Sequence, residues 1–290
     1  MAESLDLDEL FSDLHHDDVR EKLVKTPLNY MGCKTDTLEQ ILKHLPYRNK
    51  FVDVFGGSGA VTIARRPSKL DVFNDRHSGV SAFFTAIKTD YSTLYEHIQT
   101  MPHSREMFKW CQDNVEKTIH DITLRGAMWY YIVQTSFAGR GAYWGRVTQA
   151  VSPVYRKIGS NLDLFFPLSE RFSRVQVENM DWRQVLQDYD SEDTVFYLDP
   201  PYYNSNVYQY NMTKDEHREM CHKIKNLKGF VALSGFANDI YDSFTWDERH
   251  AFTLRQRTMS AATSVGATME NHGHTIDRTS ERVEYLWIKK

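Results

Sequence analysis

The sequence predicts an α/β protein with its ligands at the carboxyl edge of a sheet, and three stretches predict it. Phe51-Val-Asp-Val-Phe-Gly-Gly-Ser-Gly-Ala-Val-Thr-Ile63 reads as a strand running into a glycine-rich turn that opens a helix. Leu70-Asp-Val-Phe-Asn-Asp75 reads as a second strand that ends in an acid. Thr194-Val-Phe-Tyr-Leu198 is a β-branched, aromatic and aliphatic run followed by Asp199-Pro200-Pro201-Tyr202. Two prolines end that strand, because neither donates to a ladder and each pushes its predecessor into extended geometry. In open α/β sheets, ligands bind in the crevice outside the carboxyl ends of the strands.

Each strand end carries its own chemistry. Gly56, Gly57 and Gly59 let backbone approach a ligand closely, but Thr62 stands where a dinucleotide fingerprint has its third glycine, which disfavours NAD. An acid at the end of a second strand, here Asp75, can take both hydroxyls of a ribose. Together these features suggest a nucleoside ligand without a phosphate tail. At the third strand end a carboxylate, the carbonyls of Asp199 and Pro200 and the Tyr202 ring suit a flat heterocycle bearing an exocyclic amine. Asp-Pro-Pro alone reads equally as a proline-rich turn; the two upstream motifs tip the balance.

Composition sets the outer limits. The chain has 290 residues and a formal net charge of −4, enough for one large domain or two modest ones. That charge argues against an indiscriminate nucleic-acid coat while allowing a local basic surface. No run approaches the roughly 18 apolar residues of a membrane span, and the acidic N-terminus lacks a basic signal-peptide region. Cys33, Cys111 and Cys221 lie far apart without CxxC spacing, which fits a reducing cytoplasm and neither a disulfide framework nor a zinc site.

Residues 1–24 form an acidic extension, in which Leu7, Leu10, Phe11 and Leu14 fall at helical spacing. Pro27-Leu-Asn-Tyr-Met-Gly-Cys-Lys34 precedes a helix over Thr35–Leu45, and Gly32 with Lys34 suits a negative group at its start. Helices are expected over Ser81–Ile87, Tyr91–Thr100, Ser104–Asn114 and Leu124–Thr135, with a strand at Val175–Asn179 and a helix opened by Met180-Asp181-Trp182. Residues 101–160 carry more bases than acids. Within them Phe137–Thr148 has loop or hairpin character, and Arg140, Tyr143, Trp144 and Arg146 suit a finger against DNA, where arginine reads guanine edges or phosphates and aromatics stack or wedge. An ordinary surface hairpin is the competing reading. Thr213 caps a helix to Lys225 with Glu216 at the capping-box position, Phe230–Ser234 is a strand, residues 255–280 are a polar loop, and Glu284–Ile288 closes the sheet. His15-His16, His217/His222 and His272/His274 have no cysteine or acid at ligand spacing and read as surface histidines, with no metal expected.

The order of these motifs resembles a Dam-type, α-group DNA adenine-N6 methyltransferase over roughly residues 27–290. The Pro27–Lys34 element, Phe55-Gly-Gly-Ser-Gly59, a helical basic insertion, Asp199-Pro-Pro-Tyr202 and Arg282-Val-Glu-Tyr-Leu-Trp287 follow one another as in that family, although glycine is commoner where Cys33 stands. The resemblance implies a Rossmann-like sheet binding S-adenosylmethionine over residues 25–90 and 170–290, with an inserted, mainly helical DNA-recognition subdomain over 91–169. Phe55, Gly56, Gly57, Ser58 and Gly59 would wrap the methionine end of the cofactor, with Asp53 near its amino group and Asp75 on its ribose. Met180 and Asp181 would border the adenine, and Tyr30 and Lys34 would lie beside cofactor and active site. Asp199, Pro200, Pro201 and Tyr202 would be catalytic, with Asp199 also touching the cofactor. The implied partner is double-stranded DNA in a bacterial or phage-infected cytoplasm, met by a monomer or by a weak dimer on a palindrome. Cytosine N4 or RNA adenine as acceptor, and a catalytically idle DNA-binding protein, are the alternative readings. Cytosine-N4 enzymes more often carry serine before Pro-Pro-Tyr.

Overall fold

The computed structural model describes residues 26–28, 34, 36–145, 153–203, 210–254 and 282–290. The acidic segment 1–24, Tyr30, Gly32, Cys33, Arg146 and the polar stretch 255–280 lie outside the described residues.

Seven strands form one mostly parallel sheet in the order β3-β2-β1-β4-β5-β7-β6. They are β1 (Lys50–Asp53), β2 (Leu70–Asn74), β3 (Val175–Glu178), β4 (Thr194–Leu198), β5 (Phe230–Phe236), β6 (Glu248–Leu254) and β7 (Arg282–Lys289). β1 to β5 run parallel, whereas β7 lies antiparallel between β5 and β6. The strand order reverses at β1: β2 and β3 extend to one side, β4 and β5 to the other. A crevice therefore opens between the carboxyl ends of β1 and β4.

Burial explains why the central strands read so clearly. All five residues of β4 are buried, as expected for a strand covered on both faces. Side chains of alternate residues go to opposite faces. Val52, Val72, Phe196 and Val231 pack on one face against α8 (Trp182–Tyr189), α9 (Lys214–Asn226) and α10 (Asp239–Ser243). On the other face Phe51, Tyr197 and Leu286 meet α1 (Leu38–His44), while Phe73 and Val175 meet a larger helical layer. That layer comprises α3 (Ser78–Thr100), α4 (Arg105–Asn114), α5 (Ile122–Thr135), α6 (Pro153–Leu162) and α7 (Phe165–Phe172); a short α2 (Ala60–Ala64) follows β1.

The expected helices over 81–135 are present, and Ser104 and Asp121 accept hydrogen bonds from the N-terminal amides of α4 and α5. α3 breaks at Asp90, whose φ of −158° and ψ of 67° are not helical. The capping box of Thr213 and Glu216 forms at the start of α9. Other features depart from expectation. α6, α7, α10 and β6 were not foreseen, and α1 starts three residues later than expected. His217, expected at the surface, is fully buried on α9, with Nδ1 2.7 Å from the Tyr241 hydroxyl. Among the described residues no helix is long and apolar enough to cross a membrane.

Candidate active site

The crevice at the strand-order reversal is a cleft of about 1050 Å³, the solvent at its mouth included. Its walls gather most of the predicted residues: Lys34, Asp53, Phe55, Gly56, Gly57, Ser58, Asp75, Met180, Asp199, Pro200 and Pro201. All but Lys34, which comes from the segment before α1, arrive from a strand end or the turn that follows it. Asn74, the last residue of β2, ties this edge together. Its amide donates to the Val54 carbonyl at 2.9 Å and to the Met180 carbonyl at 3.3 Å, and its Oδ1 accepts the Met180 N–H at 2.9 Å.

The glycine turn fits this place for steric reasons. A Cβ on Gly56 would lie 2.2 Å from the Phe73 ring, so no other residue fits there without moving the sheet's packing. Gly57 has φ of 50°, a left-handed value that glycine adopts without strain. The turn is further held by Asp75, whose Oδ2 accepts the Gly57 N–H at 2.9 Å and whose Oδ1 accepts the His77 N–H at 2.7 Å. Burial raises the Asp75 carboxyl above the ordinary carboxylate range, against the pull of those two amides. Gly59 starts α2 with φ of 72° and stands behind the walls.

Asp53 is almost wholly buried at the end of β1. Its Oδ2 accepts the Thr62 hydroxyl at 2.7 Å, while Oδ1 has no hydrogen-bond partner among the described residues. Burial pushes its carboxyl up to about 7, with the negative neighbours Asp199 and Asp75 adding to the shift. A buried carboxylate oxygen without a partner is costly unless a ligand satisfies it.

Asp199 lies at the centre of a second, charged cluster. Its Oδ1 is 2.7 Å from Lys34 Nζ and accepts the Ser234 hydroxyl at 2.9 Å. Lys34 Nζ also sits 3.0 Å from Glu284 Oε1 on β7 and donates to the Tyr202 hydroxyl at 2.8 Å. Thr37, just ahead of α1, donates to the other Glu284 oxygen at 3.4 Å, and its N–H reaches the Lys34 carbonyl at 3.1 Å. The negative group expected beside Lys34 is thus a pair of the protein's own carboxylates. Burial alone would lower the lysine, but the carboxylates of Asp199 and Glu284 outweigh it and hold it well above its ordinary value. Burial raises Asp199 to about 6, opposed by Lys34 and reinforced by Glu284. Tyr202 does not face the main cleft. Its ring packs against Phe236, centroids 4.7 Å apart, beside a smaller pocket shared with Pro200 and Ser234.

Asp181 stands apart from the walls. It caps α8 through the Arg183 N–H and pairs with Arg76 at 3.0 Å and Arg183 at 3.2 Å. Several lining residues escaped sequence reasoning: Asn74, Arg76, His77, Trp182, Tyr210 and Met212. Trp182 carried the clearest available signal, since it stands two residues after Met180 at a strand-to-helix junction. Its indole N–H is buried without a partner among the described residues.

The finger following α5 is closed by backbone. Phe137 N–H donates to the Tyr143 carbonyl at 2.8 Å, Gly145 N–H donates to the Thr135 carbonyl at 2.9 Å, and the Gln112 amide holds the Gly141 carbonyl at 2.7 Å. Tyr143 is 77% exposed and Phe137 53%, with Arg140 exposed between them. Trp144 turns inward instead, onto His103 and Phe108. Elsewhere, His44, Glu248 and His250 bring ligand-type atoms within 4.8 Å of one another, but the two imidazoles stack at 3.7 Å and Lys290 already pairs with Glu248.

A segment of 70 residues is 39% identical to Modification methylase StsI of Streptococcus sanguinis, taking in 24% of this chain and 11% of that protein. The chain thus matches about a tenth of that relative's length. A solved structure from Streptococcus pyogenes, a conserved hypothetical protein, aligns over 84% of this chain and 89% of its own at 10% identity and a TM-score of 0.30, too low to carry an argument. Residues 30–253, well over half the chain, match a single family from the glycine turn through the Asp-Pro-Pro-Tyr strand end. The chain belongs to the D12 class N6 adenine-specific DNA methyltransferase family.

Proposed function

We propose that the protein is a Dam-type enzyme that moves a methyl group from S-adenosylmethionine to N6 of an adenine turned out of duplex DNA. One observation carries this reading: at the strand-order reversal Asp199 keeps Oδ1 bound to Lys34 and Ser234, while its carboxyl group and the two prolines line the cleft.

The cofactor's fit rests on the opposite wall. Asp53 Oδ1 is a buried acceptor suited to an ammonium, Gly56 and Gly57 line the wall without side chains, and each Asp75 oxygen accepts one backbone N–H in a position suited to sharing a ribose hydroxyl. Met180 and Trp182 offer apolar surface for a purine. Bound there, S-adenosylmethionine supplies an electrophilic methyl on a sulfonium. The N6 lone pair is delocalised into the adenine ring and is a poor nucleophile. Asp199 and the Pro200 carbonyl accept its two N–H bonds, localising the lone pair and stabilising the positive charge that develops on nitrogen. With the cofactor bound, that lone pair would form the new N–C bond while the S–C pair stays with the departing thioether, and the nitrogen would then lose a proton to solvent. No strong base is required. Alignment of the amine with the methyl supplies the entropic part of the acceleration. A duplex hides N6, so the base must leave the stack, and Tyr202, braced by Phe236 in the smaller pocket that Pro200 also lines, is its stacking surface.

Residues 91–169 serve as the recognition insertion, and Arg140, Tyr143 and Phe137 on its finger meet DNA while Trp144 anchors the finger. The test is incubation with labelled S-adenosylmethionine and unmethylated genomic duplex DNA, followed by base analysis and sequencing. N6-methyladenine in one short word is expected. Label on cytosine N4, or on RNA alone, would overturn the acceptor; cofactor binding without any transfer would leave an idle DNA-binding protein.

A further inference from the structure

Lys34 would neutralise Asp199 if the two formed an isolated pair, and a neutralised carboxylate stabilises a developing cation poorly. The structure contains a remedy. Glu284, on β7 near the far end of the chain, holds the same ammonium at 3.0 Å from a side chain only 4% exposed. Neither Coulomb attraction nor hydrogen bonding to Lys34 alone requires a second buried acid, and burying one costs free energy unless it is well paired. Glu284 meets that condition through Lys34, the Thr37 hydroxyl at 3.4 Å and the Tyr202 hydroxyl at 3.4 Å.

We infer that Glu284 is a positioning residue for Asp199: by sharing the Lys34 ammonium it leaves the buried trio with one net negative charge, presented at the cleft through Asp199. Lys34 and Ser234 fix the orientation of the carboxylate through Oδ1, and Glu284 restores the charge that Lys34 would cancel. Asp199 is the more exposed of the two acids, 17% against 4%, so the charge is expressed on the cleft side. This inference deepens the methyl-transfer reading and rests on it for the catalytic consequence, but the charge arrangement can be tested without it.

The titratable groups around Asp199 are Lys34 from the segment before α1, Glu284 from β7, Tyr197 from β4, Tyr202 from the turn, Asp53 from β1 and Tyr241 from α10. Burial raises all three tyrosines, which therefore stay neutral. Lys34 pulls the Asp199 carboxyl down and Glu284 pushes it up. Substitutions at the two positions should therefore move it in opposite directions.

The experiment is carbon-detected NMR titration of the Asp199 carboxyl in the full-length, cofactor-free protein, beside pH profiles of kcat/KM for methyl transfer. Wild-type protein should titrate near 6. Glu284→Gln keeps an acceptor for Lys34 but removes the charge, and should lower that midpoint by about one pH unit. The acid limb of activity should move with it, and plateau kcat should fall about tenfold. Glu284→Asp, which keeps the charge, should leave the midpoint in place, and Lys34→Met should raise it. A Glu284→Gln midpoint equal to wild type would overturn the inference, as would a uniform loss of kcat with an unmoved limb, the mark of a merely structural role. If wild type methylates no base, the functional reading falls, while the midpoints in cofactor-free protein still decide the role of Glu284.

Discussion

The cleft and the finger are built on opposite principles. In the cleft nearly every polar atom is committed: Asp199, Lys34, Glu284, Tyr202 and Ser234 form one buried network drawn from four separate segments. On the finger Tyr143, Phe137 and Arg140 are exposed, and its order comes from backbone bonds, from Gln112 and from the one inward ring, Trp144. Chemistry needs charges whose orientation is fixed before the substrate arrives, since reorganising them during the reaction would cost what they are meant to supply. Recognition needs side chains that can leave water for another surface, which a buried network does not provide. The two regions should therefore fail differently when altered.

The largest effect is expected from Asp199→Ala, which should reduce kcat by about 10²- to 10³-fold or more while cofactor affinity measured by calorimetry stays nearly constant. Equal loss of cofactor binding would merge the two roles separated above. Next, Asp53→Asn should weaken cofactor binding by about tenfold to a hundredfold, because the buried acceptor at Oδ1 loses its charge. In wild type, an ammonium beside Asp53 lowers a carboxyl that otherwise titrates near 7, so cofactor binding at pH 6 should release a proton. Calorimetry in buffers of different ionisation enthalpy would detect that release, and Asp53→Asn should abolish it.

On the finger, Tyr143→Ala and Phe137→Ala should each weaken DNA binding by about 1–3 kcal/mol with cofactor affinity unchanged. Arg140→Ala should relax sequence preference; unchanged sites at an unchanged rate would remove Arg140 from recognition. Trp144→Ala separates anchor from contact: it should lower Tm through lost packing on His103 and Phe108. A further effect is a pH dependence of stability. The folded carboxyl of Asp53 lies above its ordinary value of 3.8, so the folded state holds a proton that the unfolded chain releases first. Stability should therefore fall as pH rises from about 4 through about 7, by at most about 1.4 kcal/mol per pH unit. Asp53→Asn should flatten that slope in urea titrations.

Sequence reasoning recovered the interior and missed the margins, for physical reasons. β1, β2 and β4 are buried on both faces and end at motifs whose geometry glycine or proline dictates, so both strand and site could be read directly. β6 was missed because it is an edge strand, Glu-Arg-His-Ala-Phe-Thr-Leu, in which Phe252 is buried while its charged residues remain part-exposed or exposed. Trp182 was placed at a helix start, but its contact with the cleft depends on how α8 packs, which local sequence does not reveal. Phe137 and Trp144 exchange roles for a similar reason. Only the position of α4 decides which aromatic ring finds Phe108 and which is left exposed.

The antiparallel insertion of β7 has a consequence for how the molecule is made. β7 is the last of the seven strands to leave the ribosome, yet it lies inside the sheet, between β5 and β6. β6 pairs with β7, so it is synthesised before the strand it pairs with exists. Until then β5 presents an unpaired edge and Lys34 lacks Glu284, one of its two carboxylate partners. The nascent chain therefore carries an incomplete cluster until the non-local closure of the sheet supplies β7. Assembly order thus keeps the cluster from being completed before translation has passed residue 284.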